Sequence, residues 1–159
     1  MKKWIAMALA LVVCLGVFTA CKKEQDQNAE TVKEPVQALP VEGDELEAAS
    51  AEIVGEWRTE DNSFMILVSS RGDVFNVDVE GNRDGEWEYW NFSGDLAKVD
   101  GYQIMGVDCC KYEVTNENDF SQTLVYSEGV STIVLKNGVI TWNDAEEDAG
   151  KGLTFMKVA

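Results

Sequence analysis

Histidine is absent from the 159 residues, and arginine is limited to Arg58, Arg71 and Arg83. Without histidine the chain lacks the usual general base near neutral pH, the Ser-His-Asp and Cys-His nucleophile systems, and histidine-containing zinc sites. Catalysis would have to rest on carboxylates, tyrosine or lysine. Basic groups of any kind are scarce: beyond Lys2 and Lys3 at the start, 11 basic residues face 29 acidic ones, a balance of −18. Such a chain repels polyanions, so no nucleic-acid partner is expected, and anionic lipid headgroups do not attract the folded part. Cations and basic partners stay open. Both prolines, Pro35 and Pro40, fall in residues 22–50, a stretch without a single aromatic residue, which reads as a disordered acidic spacer. Of the four cysteines, Cys14 and Cys21 lie in the leader and Cys109 and Cys110 are adjacent far downstream, so they form no disulfide framework.

Only one long apolar run exists, residues 4–18, directly after Met1-Lys2-Lys3. A positive start followed by such a run has the form of a secretory signal, and it falls short of the roughly 20 residues a transmembrane helix needs. Phe18-Thr19-Ala20-Cys21 resembles a bacterial lipobox. The resemblance implies cleavage before Cys21, lipidation of Cys21, and a place in the bacterial cell envelope facing outside the cytoplasm. Acyl chains at about 0.8 kcal/mol per buried methylene would then tether the domain to the membrane. The alternative is an ordinary signal peptide cut nearby. The expected organisation is a lipoprotein signal peptide over 1–20, a lipidated cysteine and spacer over 21–50, and a β-domain over 51–159. Asp44-Glu45-Leu46-Glu47 predicts a capped helix start, with Leu46, Ala49 and Ile53 on one face leading into Trp57.

From Ile53 onward, β-branched and aromatic runs alternate with turn signals. The runs are 64–68, 74–80, 87–92, 96–99, 102–107, 112–115, 124–126, 130–135, 139–142 and 153–158. Asn137-Gly138 is the strongest hairpin signal, because a type I′ turn needs two positive φ angles. The expectation is all-β: a small up-and-down antiparallel barrel of about 8 to 10 strands after a short helix, with a β-sandwich as the alternative. A barrel of eight or so strands is just wide enough for its own side chains to fill. Trp57 is expected to plug one end, with Phe64, Phe75, Trp87, Tyr89 and Phe155 pointing inward.

Gly55-Glu56-Trp57 before such a meander, together with Trp142-Asn143-Asp144 and the later Glu147-Asp148 and Gly150, resembles the lipocalin-like domains of secreted and lipid-anchored bacterial proteins. The likeness spans residues 51–159, implies a fold, and brings no activity with it. True lipocalins place a late arginine against the first tryptophan, whereas no arginine follows Arg83 here.

Four groups of residues are candidates for a site. Asp144, Glu146, Glu147 and Asp148 are oxygen donors in one loop that suit Ca²⁺, with an acidic solvated hairpin as the plain alternative. Trp87, Tyr89, Trp90 and Phe92 alternate along one strand, so one pair faces out or into a cavity edge and could offer a surface to a sugar or small apolar ligand, with core packing and plugging of the barrel end as the favoured reading. Cys109 and Cys110 are adjacent: a small buried filler is the favoured reading, a disulfide in an oxidising compartment the other. Arg71-Gly72-Asp73 matches an adhesion tripeptide, but it is what a hairpin turn ordinarily contains, and the turn is the favoured reading. The function expected is non-enzymatic binding or interaction at the cell surface, with an unknown protein or a small ligand as partner. The alternatives are a carboxylate-based hydrolase and a structural or inhibitory envelope protein.

Overall fold

The computed structural model describes residues 38–83, 85–116 and 121–159. The expected signal peptide, Cys21 and most of the expected spacer lie outside the described residues. The elements are β1 (Leu39–Pro40), α1 (Gly43–Ile53), β2 (Gly55–Arg58), β3 (Phe64–Arg71), β4 (Val74–Arg83), β5 (Glu86–Lys98), β6 (Tyr102–Asn116), β7 (Ser121–Lys136), β8 (Val139–Asp144) and β9 (Thr154–Lys157). From β2 to β9 each strand pairs antiparallel with the next. β9 then returns to β2 through Trp57↔Lys157 and Arg58↔Met156, so eight strands form a closed ring. Helix α1 and the β3–β4, β5–β6 and β7–β8 turns lie at one end, the helix end. The β2–β3 and β8–β9 loops lie at the opposite, loop end.

The all-β, up-and-down class is therefore observed, with fewer and longer strands than the sequence runs suggest. Residues 87–92 and 96–98 belong to one strand, as do 102–107 with 112–115 and 124–126 with 130–135. The residues between these runs mark register shifts rather than turns. Gly94 shows why: a Cβ there would stand 2.3 Å from the Met105 carbonyl oxygen, so glycine lets β5 and β6 cross closely where the pairing slips. At the β7–β8 turn, Asn137 (φ 54°) and Gly138 (φ 75°) adopt the positive angles expected of them. Arg71-Gly72-Asp73 is the β3–β4 hairpin turn.

Strand alternation buries Phe64, Ile66 and Val68 on β3, Phe75, Val77 and Val79 on β4, and Ile133 and Leu135 on β7. On β5 the inward pair is Trp90 and Phe92, not Trp87 and Tyr89 as expected: Trp87 is 40% exposed, Trp90 0%. Leu96, buried on the same parity as Trp90 and Phe92, fixes that choice. Trp90, Trp142 and Phe64 pack edge-on or tilted with centroids 4.9 to 6.3 Å apart inside the loop end. The rings press directly on backbone, since a Cβ on Gly81 would meet Phe64, and one on Gly150 would meet Trp142, at 2.2 Å.

At the helix end the ordered part reaches back past residue 51. Val41 and Ala49 are buried, and β1 pairs with Ala97 and Lys98 on β5. Helix α1 begins one residue before Asp44, with Glu42 at the cap position and no side-chain cap, so Asp44 and Glu45 instead place their charges in the first turn. Trp57 is 1% exposed and donates its indole N–H to the Ile53 carbonyl at 2.9 Å. Lys157 reaches the Ala51 and Glu52 carbonyls and lies 5.5 Å over the Trp57 ring. Lys157 thus covers the outer side of Trp57 and ties β9 to the end of α1.

Candidate functional site

The loop end carries the densest set of polar side chains on the inner surface. Trp90, Lys111 and Tyr126 stand in one cross-strand row on β5, β6 and β7. Lys111 is almost wholly buried, with its ammonium 2.7 Å from Glu88 and 2.5 Å from Glu147, and 5.3 Å over the Trp90 ring. Burial works to lower its pKa, but hydrogen bonds and charge from Glu147 and Glu88 outweigh that and raise it. The second oxygen of Glu88 is buried without a hydrogen-bond partner.

Asp144 is fully buried at the end of β8. Its carboxylate accepts the Tyr126 O–H at 2.8 Å and the Glu147 backbone N–H at 3.0 Å, while the Trp90 indole donates to the Tyr126 oxygen at 3.1 Å. Burial first, and the Asp144 hydrogen bond second, raise the Tyr126 pKa. Burial and the Asp144 charge also push the Cys109 thiol up to about 12. Lysine is thereby held as ammonium, tyrosine as phenol and cysteine as thiol, so none of the three is in its nucleophilic form near neutral pH. What the cluster does physically is fasten the β8–β9 loop, through Asp144 and Glu147, onto the inner wall of β5, β6 and β7.

The outer surface of that wall is different. Tyr89, Tyr112 and Leu124 form the neighbouring cross-strand row, with the two tyrosine rings 6.1 Å apart. Trp87 follows two residues before Tyr89 on the same face. Leu124 is 51% exposed, and Val125, the extra residue where β7 slips against β6, is also exposed. Tyr89 donates to Asp78, which also accepts from the Asn91 amide at 2.6 Å, so this ring is held in place from β4. Elsewhere outside, an open hollow of about 450 Å³ at the helix end is lined by Gln103, Val134 and Thr141, with Lys136 paired to Asp100 beside it.

The residues singled out from sequence are thus divided between two surfaces. Of the aromatic strand, Trp87 and Tyr89 are outside, Trp90 and Phe92 inside. Of the acidic loop, Asp144 and Glu147 join the inner cluster, Asp148 pairs with Lys151, and Glu146 is exposed. Among the described residues no three cysteine or acidic side chains converge as metal ligands do. Lys111 already stands between Glu88 and Glu147, where a cation would bridge them. Cys109 and Cys110 are free thiols, the first buried and the second half-buried, so the pairing held open from sequence is not formed. Lys111, Tyr126 and Glu88 are not legible as a set from the sequence. The available signal was a lysine on the same parity as buried Cys109. Comparison with protein-family models, with curated proteins and with solved structures finds no match to this chain.

Proposed function

We propose that this is a lipid-anchored, extracytoplasmic interaction domain without catalytic activity, which binds another protein through the outer surface of the β5–β6–β7 wall. The observation that carries the reading is the division of aromatic residues. Trp57, Trp90, Trp142, Phe75, Phe92 and Phe155 are buried within the ring, while Tyr89, Tyr112 and Leu124 make a cross-strand row outside it, with the exposed Trp87 on the same face of β5. Contiguous apolar surface of this kind is characteristic of protein contacts, and aromatic residues dominate their energetics. The lipobox-like Cys21 and the spacer after it would hold that surface away from the membrane.

The test is site-specific photo-crosslinking in intact cells of the source organism. A photoreactive residue in place of Trp87 should give a discrete protein adduct in the membrane fraction, whereas one in place of Val158 at the helix end should not. Adducts at neither position, or equally at both, would remove the reading. Cys21→Ala should move the domain out of the membrane fraction, and membrane retention by that variant would remove the anchor.

A further inference from the structure

We propose that residues 122–127 of β7 are a docking edge for an extended, basic segment of the partner protein, which joins the sheet as the strand next to β7. The inference rests on the reading just given, that the ring binds a protein through this wall, and names how the partner attaches.

The argument begins with strand lengths. β7 is 16 residues long, but β8 pairs with it only from Ser131 to Lys136. The last backbone bond on that side is the Ala145 N–H to the Val130 carbonyl, at 2.8 Å. Beyond it, among the described residues, β7 is paired to β6 alone, so the other edge of 122–127 offers backbone donors and acceptors in an extended geometry. The same situation arises at the opposite end, where β5 outruns β4. There a short extended piece, Leu39–Pro40, adds to the free edge. The fold therefore already completes one overhanging edge by strand addition.

Sequence and charge indicate the occupant. Natural edges are protected by lysine, proline or inward charge, or by a bulge, and of these devices this edge carries only the bulge at Val125. Residues 122–127, Gln-Thr-Leu-Val-Tyr-Ser, contain no lysine, proline or charge and are rich in β-formers. An added strand would extend the outer row Tyr89–Tyr112–Leu124, so it should place an apolar side chain beside Leu124. The surroundings are acidic: Glu128 follows directly, Glu113 lies opposite Thr123, and the Glu146 side chain lies against Gly129. A second copy of this chain would bring the same acidic groups edge to edge on top of a net charge of −16. A segment carrying lysine or arginine meets attraction instead, which sets both orientation and association rate.

The experiment uses the full chain and three octapeptides: alternating lysine and valine, alternating glutamate and valine, and the lysine form N-methylated at every second residue. The lysine peptide should bind, weaken as salt is raised, and protect amides within 122–127 from hydrogen exchange. Binding should fall about tenfold or more with the N-methylated peptide, which loses one edge of backbone hydrogen bonds, and similarly in Leu124→Lys, but not in Met105→Lys. Binding that leaves the exchange of 122–127 unchanged, or that survives N-methylation, overturns the edge while leaving a side-chain contact through the outer row intact. No binding of the lysine peptide overturns the edge, and the Trp87 crosslink then decides the broader reading separately. Protection of 122–127 by self-association, or by the chain's own N-terminal segment, assigns the edge another occupant and also overturns the inference.

Discussion

Trp57 is almost wholly removed from water, and its one polar atom is matched by the Ile53 carbonyl, so the residue contributes both area and a fixed angle between α1 and β2. Replacing it with alanine should cost about 3 to 5 kcal/mol, read from urea denaturation. Trp57→Phe should cost markedly less, because most of the apolar volume remains and only the hydrogen bond and part of the ring are lost. Lys111 works by charge at the loop end. Lys111→Met leaves the buried Glu88 carboxylate without its counter-ion and should cost about 3 kcal/mol. The double variant Lys111→Met, Glu88→Gln should recover much of that loss. If it does not, the loss lies in the Glu147 contact that fastens the β8–β9 loop rather than in the Glu88 charge. Trp57 was legible in the sequence because Gly-x-Trp at the head of a meander is local. Lys111 was not, because its partners lie 23 and 36 positions away and meet it only once strand register is set. The error over Trp87 and Tyr89 has a similar origin. Alternation separates two faces of a strand, but only the neighbouring strands decide which face is inside.

Connections between strands are the elements whose chemistry is most local, and the β2–β3 loop illustrates how a carboxylate shapes one. Asp61 accepts from the Thr59 hydroxyl at 2.7 Å, the Ser63 hydroxyl at 2.7 Å and the Ser63 backbone N–H at 3.0 Å. These bonds, those to Ser63 first, hold its pKa down to about 2 against an ordinary 3.8. A carboxylate lowered on folding contributes stability that is present above the unfolded pKa and lost as pH falls through the folded one. The stability difference between the natural chain and Asp61→Asn should therefore be constant above pH 4, shrink between pH 4 and 2, and vanish below. Parallel denaturation curves across that range check it, and an unchanging difference would mean the charge plays no part in the loop. Turns of this kind, like Asn137-Gly138, are readable from sequence because their signals are contiguous. The long strands β5, β6 and β7 are less readable, since a glycine inside a strand and a glycine in a turn look alike until a neighbour's backbone is seen against it.

The whole molecule depends on a closure made by its two shortest ring strands. β2 and β9 have four residues each, and they meet through two paired positions plus the Val158 N–H to the Glu56 carbonyl at 2.8 Å. Few hydrogen bonds are involved, but β9 also carries Phe155, fully buried, and Lys157, which holds the last carbonyls of α1 and covers Trp57. Closure therefore couples the two ends of the folded part, and the contacts that stabilise it are distant in sequence. A chain of this topology gains little until the ends meet, because loop-closure entropy must be overcome before the pairing contributes. Removing residues 154–159 should accordingly do more than subtract one strand. With β2 and β8 left as open edges and Phe155 missing from the interior, the remaining strands should keep much of their far-ultraviolet circular dichroism. They should lose the near-ultraviolet signal of the packed tryptophans, bind an apolar dye, and unfold without a sharp transition. Phe155→Ala in the complete chain separates the two contributions, since it empties the interior but keeps the backbone closure. It should lower stability by about 3 to 5 kcal/mol yet still unfold cooperatively. Retention of a sharp transition by the truncated chain would show that β3 to β8 fold on their own, and that ring closure is a consequence of the fold rather than its condition.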